Sequence, residues 1–503
     1  MKIVNVELYN RTAYFDGIGS RTGRRLRRHF RFHPDKYQYM PKYRDGKWDG
    51  WITMLKRDRA TGGYKVNSGL FLALQESIER KEKIKFAIQD MREFVRFNDD
   101  NILSDRIYQN LCIRAMQRER SGGLILSATA SGKTLIAGLY FKALIGTGCF
   151  VVDELTLLEQ AREALSEVIG EEVGKVGEQV FNPKRITVAT IQTLHLHKDR
   201  ADFKSWMDAL NVVIIDELHI ALNRRNIETV KAAKPHIVFG LTATLELQKE
   251  MVRIPAYALC GPTLFEYHQE EGTEEGFLAP GIVCAVKVIQ EGLLGSYHPE
   301  YQDLITESDV RNDCIVGLVK ESIDRGRHVV VIVERVAHLR RLSKMVGEIP
   351  HKTVFGEKKT QERIMAKKGF ERGEIRLIIC NKVFKKGVDI KIIDTIIECS
   401  ALSSKNDAIQ KFGRGKRTKA AKDGLIYIDI NDRSPFRSTR DSDDWNRFHK
   451  ASKSRLAAFR RRNVPITIVN WDDNPEEVLD IAEAKLQRYI RKLRRNTKNV
   501  VFH

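Results

Sequence analysis

The segment LILSATASGKT, residues 124–134, decides the fold that this sequence predicts. An apolar strand leads through a turn of small residues into Gly-Lys-Thr and then into a helix. Successive backbone N–H groups and a helix N-terminus are the donors that surround a phosphate. The segment therefore predicts a phosphate loop, in which Lys133 would reach the β- and γ-phosphates of ATP and the Thr134 hydroxyl would bind Mg²⁺. The other residues expected to line the phosphates are Ala128, Thr129, Ala130, Ser131 and Gly132.

The loop departs from the usual phosphate-loop pattern at one position. The pattern G-x-x-x-x-G-K-[S/T] has glycine where Ser127 stands. Because serine is small enough to permit a tight turn, we interpret the change as variation. Taken alone, the segment is also compatible with a plain strand-to-helix turn that binds nothing.

A second apolar strand ends in two adjacent carboxylates. The run Val212–Ile215 is followed by Asp216 and Glu217, and ligands of open α/β sheets bind at the carboxyl ends of the strands. Asp216 would hold Mg²⁺, and Glu217 would orient and deprotonate the water that attacks ATP. The alternative is a pair of solvated acids that cap a helix, and the phosphate loop upstream weakens it.

A third segment, residues 410–417, has the sequence QKFGRGKR and carries two arginines three positions apart. Side chains with this spacing lie on one face of a helix, so Arg414 and Arg417 could reach the same phosphate group. A guanidinium that is always charged suits the negative charge that develops during phosphoryl transfer. On its own, the segment is equally compatible with a basic helix start.

Apolar strands alternate with helical segments over two stretches of the chain. The first series lies between about residues 105 and 270, and the second follows a Glu- and Gly-rich segment at 267–277. Such alternation is typical of parallel sheets covered by helices. We therefore predict an α/β protein with two tandem parallel-sheet domains, a small basic N-terminal accessory domain and a helical C-terminal extension. The predicted boundaries are 1–92, 93–275, 276–435 and 436–503.

The composition indicates an ordinary globular protein with an excess of positive charge. Hydrophobic residues make up 42% of the chain and charged residues 30%, which argues against extensive disorder. With 86 Lys and Arg against 66 Asp and Glu, the formal net charge is +20. Such a charge favours a polyanionic partner such as nucleic acid, and a basic protein that binds no polyanion is the alternative.

The sequence has no sign of a membrane span, a secretory signal or a structural zinc site. Apolar runs stay shorter than the roughly 18 residues that a membrane helix needs, and the first residues lack the charged-then-apolar pattern of a signal peptide. The seven cysteines are far apart and form no zinc-binding pair. We expect a soluble protein of the cytoplasm, for which a monomer is plausible.

The positive charge is concentrated near the N-terminus. Residues 1–60 contain 15 Lys and Arg against 6 Asp and Glu, so we expect this region to contact phosphates. Aromatic residues are interleaved with its second basic group, although Trp48 and Trp51 suit a domain core better than a base-stacking platform. The predicted DNA-binding residues here are Arg21, Arg24, Arg25, Arg27, Arg28, Lys42, Arg44 and Lys47.

These segments, in this order, resemble the superfamily 2 helicases over roughly residues 105–430. Motif I corresponds to residues 128–134, motif II to 216–219 and motif VI to 410–417. Further similar segments are a Q-type adenine motif at 106–109, motif Ia at 155–160, a strand-contact segment at 188–193, motif III at 242–244 and motif V at 386–390. The resemblance implies two RecA-like domains that close around one ATP and move along DNA.

The resemblance also implies roles for single residues outside the three segments already described. The residues expected to contact the nucleotide are Arg106, Gln109, Gly387, Asp389 and Gln410. Those expected to couple hydrolysis to DNA are His219, Thr242 and Thr244. Those expected to contact the DNA strand are Thr190 and Gln192.

Four further positions depart from the helicase pattern. Many helicases have glycine where Ala130 stands, and Leu218 replaces the usual Ala or Cys, which should matter little. At motif Ia, Asp153-Glu154 stands where the family commonly has Pro-Thr. This change places negative charge near the expected DNA track.

The N-terminal segment FHPDKYQYMPKYRDGKWDG, residues 32–50, is similar to the leading domain of the UvsW-type phage helicases. This similarity implies a DNA helicase or translocase that remodels forks and Holliday junctions, by unwinding, annealing or branch migration, in recombination, replication or repair. An RNA helicase or the motor subunit of a restriction system is the first alternative, because the motifs do not disclose the substrate. A DNA-binding scaffold with a decayed ATPase is the second, motivated by Ser127 and Ala130.

Overall fold

The computed structural model describes residues 2–59, 61–98, 104–153, 155–243, 245–290, 297–355, 360–381, 392–416, 424–433 and 447–500. Two compact units make up the chain. The first consists of Met1–Ser127 with Gly132–Tyr267, and the second of Ala128–Ser131 with His268–His503. Each unit contains one large, mainly parallel sheet with its own hydrophobic cores. The predicted α/β class is confirmed.

The first unit begins with a five-stranded sheet at the N-terminus. Its elements are β1 (Lys2–Leu8), β2 (Thr12–Asp16), α1 (Ser20–Arg27), β3 (Arg31–Phe32), α2 (Pro41–Arg44), β4 (Ile52–Thr53), β5 (Lys56–Arg57), β6 (Tyr64–Asn67), α3 (Ser68–Glu82), β7 (Ile84–Asp90) and β8 (Arg96–Phe97). The sheet order is β5-β6-β2-β1-β7, and β1 pairs parallel with β7. Alternate residues of β1 are buried, because successive side chains of a strand point to opposite faces.

The second part of the first unit is an eight-stranded sheet covered by helices. Its elements are α4 (Ile107–Arg118), β9 (Gly122–Ser127), α5 (Lys133–Ala143), β10 (Leu144–Ile145), β11 (Gly148–Val152), α6 (Leu155–Ile169), β12 (Gly174–Gly177), β13 (Val180–Asn182), β14 (Ile186–Thr190), α7 (Ile191–His197), α8 (Ala201–Asp208), β15 (Val212–Ile215), α9 (Arg224–Ala232), β16 (Ile237–Thr242), α10 (Glu250–Leu259) and β17 (Thr263–Tyr267). The order is β13-β12-β14-β11-β15-β16-β9-β17, and only the edge strand β13 is antiparallel. The central strands are buried along their length, as apolar strands covered on both faces should be.

The N-terminal sheet packs directly on the eight-stranded body. A side chain at Gly69 of α3 would place its Cβ 2.6 Å from the Tyr257 carbonyl oxygen of α10, so the two helices approach closely only because this residue is glycine. Ile254 of α10 belongs to the same hydrophobic core as the N-terminal strands. The Arg11 guanidinium donates to the backbone carbonyl oxygens of Ser121 and Leu259. These contacts attach the basic N-terminal domain to the body that carries the phosphate loop.

The second unit contains a seven-stranded, fully parallel sheet. Its elements are α11 (Gln269–Glu274), β18 (Gly281–Ile289), α12 (Tyr297–Tyr301), α13 (Asp309–Asp324), β19 (Val329–Ile332), α14 (Val336–Met345), β20 (His351–Val354), α15 (Thr360–Glu371), β21 (Leu377–Cys380), β22 (Thr395–Glu398), α16 (Lys405–Gly415), β23 (Leu425–Arg433), α17 (Arg447–Arg460), β24 (Ile466–Asn470) and α18 (Pro475–Val500). The order is β20-β21-β19-β22-β23-β18-β24. The strands therefore build the second parallel sheet that the sequence predicts.

The C-terminal extension is helical, as predicted, and it also supplies a strand. β24 pairs with β18 at the edge of the second sheet, and α18 buries Val478, Leu479 and Leu486 in the core of the same unit. The extension therefore completes the second α/β body. Within the described ranges, no helix has the length and apolar character that crossing a membrane requires.

Candidate functional site

The predicted phosphate loop joins β9 to α5 at the carboxyl end of the first parallel sheet. Ala130 and Gly132 adopt left-handed backbone conformations, with φ values of +71° and +83°. The Ser131 N–H donates to the Ala128 carbonyl oxygen at 3.2 Å. Left-handed residues in a short turn orient successive N–H groups towards a common centre, which is a geometry that binds anions. Lys133 begins α5, so a helix N-terminus lies beside this turn.

The conformation of Ala130 explains why many helicases have glycine at this position. A non-glycine residue in the left-handed region costs roughly 1–2 kcal/mol because its Cβ crowds the following carbonyl oxygen. Ala130 therefore keeps the backbone shape of the loop at a cost in strain. Strain of this kind persists at functional sites where the surrounding structure holds it.

The predicted adenine motif lies at the start of α4 and contacts the phosphate loop. A Cβ on Gly132 would lie 2.6 Å from the Gln109 side-chain nitrogen. The Gln109 amide donates to the Tyr108 hydroxyl at 3.3 Å, and the Arg106 guanidinium donates to the same hydroxyl at 3.1 Å. The Ser104 hydroxyl donates to the side-chain oxygen of Gln109. The residues predicted to clamp the adenine are therefore joined to one another and to the loop.

Sequence reasoning missed Tyr267 as part of this cluster. Its ring stacks on Tyr108 with the ring centroids 3.8 Å apart. Tyr267 ends β17, the strand next to β9, and it lies far from residues 106–109 in the sequence. No local pattern links the two tyrosines, so only the sheet order brings them together.

The two carboxylates of motif II follow β15, two strands from β9 in the sheet. Neighbouring strands are about 4.8 Å apart, so the carboxyl ends of β15 and β9, which precede Asp216 and the loop, lie roughly 10 Å apart. Glu217 has a left-handed φ of +47°, and its N–H donates to the Asp216 carboxylate at 3.0 Å. His219 Nδ1 lies 3.5 Å from Glu217 Oε2.

Two buried polar atoms at motif II lack a hydrogen-bond partner among the described residues. They are Glu217 Oε2 and His219 Nδ1. Buried polar atoms in proteins are nearly always hydrogen-bonded, to protein groups or to water. A carboxylate oxygen without a hydrogen-bond partner, at the same end of the sheet as the phosphate loop, fits a site that holds a water molecule when the substrate is bound.

The segments predicted to touch DNA are organised by side-chain contacts of their own. The Thr190 hydroxyl accepts from the Thr193 N–H at 3.3 Å and caps α7, so Thr190 acts locally on the orientation of that helix. The exposed Gln192 amide donates to the Asp153 carboxylate at 3.1 Å. The negative charge that departs from the helicase pattern is therefore in contact with a residue predicted to bind the strand. Thr242, from motif III, is the last residue of β16 and is fully buried.

Residues 410–415 of motif VI form the second half of α16, in the second unit. Gln410 and Arg414 are four residues apart on this helix and both are half-buried. Ser404 caps the helix by accepting from the Asp407 N–H at 3.1 Å. Ile409 and Phe412 anchor the opposite side in a hydrophobic core. The predicted site residues Thr244, Gly387, Asp389 and Arg417 lie outside the described residues.

The predicted basic cluster of the N-terminal domain lies on and just after α1, and its arginines are exposed. Arg25 forms an ion pair with Glu82 at 2.6 Å, and His29 lies 2.7 Å from the other oxygen of that carboxylate. The hydrogen bond from His29 lowers the pKa of Glu82 below its ordinary value, against the effect of burial and with the help of Arg25. Among the described residues no carboxylate pairs with Arg21, Arg24, Arg27 or Arg28.

The second basic group surrounds a stack of aromatic rings. The Arg31 guanidinium lies 3.9 Å from the centre of the Trp51 ring. Trp51 contacts His33 with ring centroids 3.6 Å apart, and His33 stacks on Tyr37 at 4.0 Å. Trp48 and Trp51 are half-buried and are absent from the core of this domain, so our expectation that they suit a core is wrong. The exposed bases of this group are Lys42, Arg44 and Lys47, of which Lys47 pairs with Asp45 at 3.2 Å.

Two segments of the chain match known protein families. Residues 102–247 match the res subunit of type III restriction enzymes. Residues 311–419 match the helicase conserved C-terminal domain. The matches fall on the first and second parallel sheets respectively.

Two curated proteins and one solved structure illustrate the similarity. The DNA 3′-5′ helicase XPB of Mycobacterium tuberculosis is 22% identical over 343 residues, which cover 65% of this chain and 60% of that protein's length. The ATP-dependent DNA helicase uvsW of Enterobacteria phage T4 is 22% identical over 448 residues, which cover 81% of this chain and 86% of that protein. The structure of Saccharomyces cerevisiae Dbp5 bound to RNA and ADP BeF3 matches with a TM-score of 0.52 at 16% identity, covering 83% of this chain and 98% of that one. The two parallel sheets are RecA-like.

Proposed function

Because the chain belongs to the superfamily 2 helicases, we propose that it is an ATP-driven DNA translocase that remodels branched DNA in recombination, replication or repair. The observation that carries the choice of a branched substrate is the exposed arginine cluster on and just after α1, in a domain packed on the motor body. A basic surface attached to a motor supplies a second contact with the polyanion. Forks and Holliday junctions, which extend in more than one direction, suit two such contacts better than a single strand does.

The residues of the first unit suit ATP hydrolysis. Lys133 and the N–H groups of the loop would neutralise the phosphates, and Gln109 with Arg106 would hold the adenine. Glu217 would accept a proton from the attacking water at Oε2, the atom that lacks a hydrogen-bond partner within the described chain. His219, beside that carboxylate, and Thr242 would transmit the state of the site to the DNA-binding segments.

The donor atoms at this edge of the sheet also fit a Mg²⁺ ion. Mg²⁺ prefers oxygen ligands and usually retains several waters, and Thr134 and Asp216 offer a hydroxyl and a carboxylate. When bound with ATP, the ion supplies positive charge to the β- and γ-phosphates. Arg414, with Arg417, would supply further positive charge from the second unit, and Gln410, Gly387 and Asp389 would orient the nucleotide.

Movement along DNA would follow from alternation between two grips. In enzymes of this kind, closing and opening of domains around a ligand displace one binding surface past another. Thr190 and Gln192 would contribute to the grip of the first unit. The α1 arginines and the bases Lys42, Arg44 and Lys47 would hold a second arm of the same DNA.

Substitution of Lys133 tests the ATP site. Lys133→Ala should abolish DNA-stimulated phosphate release while DNA binding, measured by fluorescence anisotropy, stays close to wild type. Lys142→Ala is the matched control, because Lys142 lies on the same helix and is exposed. An active Lys133→Ala enzyme contradicts the phosphate-loop assignment.

A strand-displacement panel tests the choice of substrate. It should contain a Holliday junction, a replication fork and a plain tailed duplex of equal length. The proposal predicts faster ATP-dependent remodelling of the junction and the fork than of the duplex. Equal rates on all three substrates contradict a role in branched DNA.

The motor of a restriction system is a second candidate function. The match of residues 102–247 to the res subunit of type III restriction enzymes favours it, and an RNA helicase is a related alternative. Comparison of ATPase stimulation by linear duplex DNA, forked DNA and RNA separates the three. If no nucleic acid stimulates phosphate release, a DNA-binding scaffold with a decayed ATPase is the correct description.

A further inference from the structure

Helix α17, the first helix of the C-terminal extension, carries a fully buried arginine, Arg455. Its Nε and Nη2 atoms donate to the two carboxylate oxygens of Asp429 on β23, at 2.9 and 2.6 Å. Its Nη1 atom donates to the carbonyl oxygens of Ala401 and Ser403, at 3.0 and 3.4 Å. Ser403 immediately precedes Ser404, the N-cap of α16. One guanidinium therefore joins a central strand to the turn from which the motif VI helix starts.

A second buried ion pair holds α16 from within the helix. Lys411 donates to Glu398 Oε2 at 2.5 Å and to the Ser403 hydroxyl at 3.1 Å. The Tyr427 hydroxyl donates to the same carboxylate oxygen at 3.0 Å. Burial raises the pKa of Glu398, but the adjacent Lys411 ammonium outweighs it and keeps the pKa below its ordinary value. The carboxylate is therefore ionised and ties α16 to the ends of β22 and β23.

Stability alone does not account for these two pairs. Moving ionic groups out of water costs several kcal/mol per ion, and well-packed apolar residues in their place often stabilise a protein as well or better. What an ionic anchor adds is geometry, because an arginine that makes paired hydrogen bonds fixes both the distance and the direction of its partners. The apolar residues Ile409 and Phe412 of α16 hold the helix against the sheet, and apolar contact is not directional.

We propose that Arg455 and Lys411 are positioning residues, which fix the start and the rotation of α16 so that Arg414 presents its guanidinium to the phosphates of ATP. The inference rests on the proposed function, because it takes Arg414 as a phosphate-contacting residue. It assigns the C-terminal segment a part in ATP hydrolysis, although that segment lies outside the helicase motifs. Arg455 acts from α17 through the turn at 401–403, and Lys411 lies one helical turn before Arg414.

The test uses neutral pairs, so that no buried charge is left without a partner. In the full-length protein, Arg455→Gln with Asp429→Asn removes the guanidinium that holds residues 401–403. We expect kcat for DNA-stimulated ATP hydrolysis to fall by about tenfold or more, while KM for ATP stays within about twofold, because a misplacement of about 1 Å can cost up to a hundredfold in rate.

The matched control is the same exchange at another buried pair of this unit. Arg311 and Asp432 are both buried and lie 2.6 Å apart, and the remaining hydrogen bonds of Arg311 reach the carbonyl oxygens of Ile305 and Cys399. Arg311→Gln with Asp432→Asn should lower the melting temperature to a comparable extent and leave kcat within about twofold of wild type. An equal fall in kcat in both double variants overturns the proposal.

A second variant keeps the test decisive if the neutral pair does not fold. Arg455→Lys preserves the charge opposite Asp429 but cannot reach the carboxylate and the two carbonyl oxygens together. Its kcat should fall, and it should have no further effect in an Arg414→Ala background, because a residue that acts through Arg414 is not additive with it. Wild-type kcat in Arg455→Lys, or full additivity with Arg414→Ala, overturns the proposal. If the wild-type protein itself shows no DNA-stimulated ATPase, the proposed function fails instead.

Discussion

The ring of Tyr267 lies parallel to the ring of Tyr108, with centroids 3.8 Å apart and an angle of 8° between the ring planes. Tyr108 in turn accepts hydrogen bonds from Arg106 and Gln109. Because Tyr267 ends the strand beside β9, the stack links the adenine motif to the sheet that carries the phosphate loop. The position of the start of α4 therefore depends on a contact with β17, the last strand of the first parallel-sheet domain.

Tyr267→Leu should weaken the binding of ATP more than it slows hydrolysis. Loss of an aromatic pair costs about 0.5–1.5 kcal/mol in addition to the hydrophobic free energy of the buried area. This cost corresponds to a rise in KM for ATP of roughly two- to tenfold. The measurement is the ATP dependence of DNA-stimulated phosphate release. Tyr267→Phe retains the stacked ring and serves as the control. An unchanged KM in Tyr267→Leu would show that the stack does not support the nucleotide site.

The sequence predicts the strands that end in functional segments better than the strands between them. The apolar strand before the phosphate loop and the run Val212–Ile215 are predicted close to the observed β9 and β15, because apolar runs next to small or acidic turns are informative. β17, β18 and β24 were missed. β17 carries Glu266 among its apolar residues, and β24 lies between two charged helices, so neither has a clear local signal.

The same distinction holds for the candidate site. The phosphate loop, Asp216 with Glu217, and motif VI are continuous segments whose chemistry is visible in the sequence. Tyr267 and Arg455 act through partners distant along the chain, and a buried arginine has the same appearance in a sequence as a solvated one. Only the order of the strands shows that such residues meet.

Ala130→Gly should stabilise the first turn of the phosphate loop without loss of activity. Glycine adopts the observed φ of +71° without the roughly 1 kcal/mol penalty of a Cβ atom. We expect phosphate release at or above the wild-type rate and a melting temperature that is unchanged or higher. Ala130→Val, whose branched side chain disfavours this backbone region, is the opposing variant and should raise KM for ATP. Normal kinetics in the Ala130→Val enzyme would contradict the left-handed turn.

Replacement of four exposed arginines on and just after α1 should weaken DNA binding and reduce the dependence of that binding on salt. The variant carries glutamine at Arg21, Arg24, Arg27 and Arg28. Each lost phosphate contact should reduce the slope of log affinity against log salt by about 0.9, and the ATPase rate without DNA should not change. The measurement is a series of binding isotherms on forked DNA at increasing salt concentrations.

The control for the α1 variant removes the same charge from another surface. Glutamine at the exposed residues Arg488, Arg491, Lys492 and Arg494 of α18 lowers the net charge equally. At ordinary salt concentrations, charges far from the DNA are screened and contribute little to binding. This control should therefore keep most of the wild-type slope of log affinity against log salt. Equal losses in the two variants would indicate an effect of net charge alone.

His338 should make the second unit less stable below neutral pH. This histidine is fully buried on α14, and its Nε2 lies 2.8 Å from the Asn312 side-chain oxygen. Burial, together with the nearby cations Arg311 and Arg341, lowers the pKa of His338 well below its ordinary value. Above about pH 6.5 the histidine is neutral in both the folded and the unfolded chain, so its contribution is constant.

As the pH falls below that value, the unfolded chain binds a proton that the folded chain does not. The free energy of unfolding should then decrease by up to about 1.4 kcal/mol per pH unit until the lowered pKa is reached. His338→Gln can still donate to Asn312 but does not titrate. The measurement is urea unfolding of both proteins at pH 5.5, 6.5 and 7.5. As the pH falls, the free energy of unfolding of the wild type should decrease more than that of the variant, because the other titrating groups are common to both proteins. A difference in the free energy of unfolding that stays constant across this pH range would show that His338 titrates alike in the folded and unfolded chains.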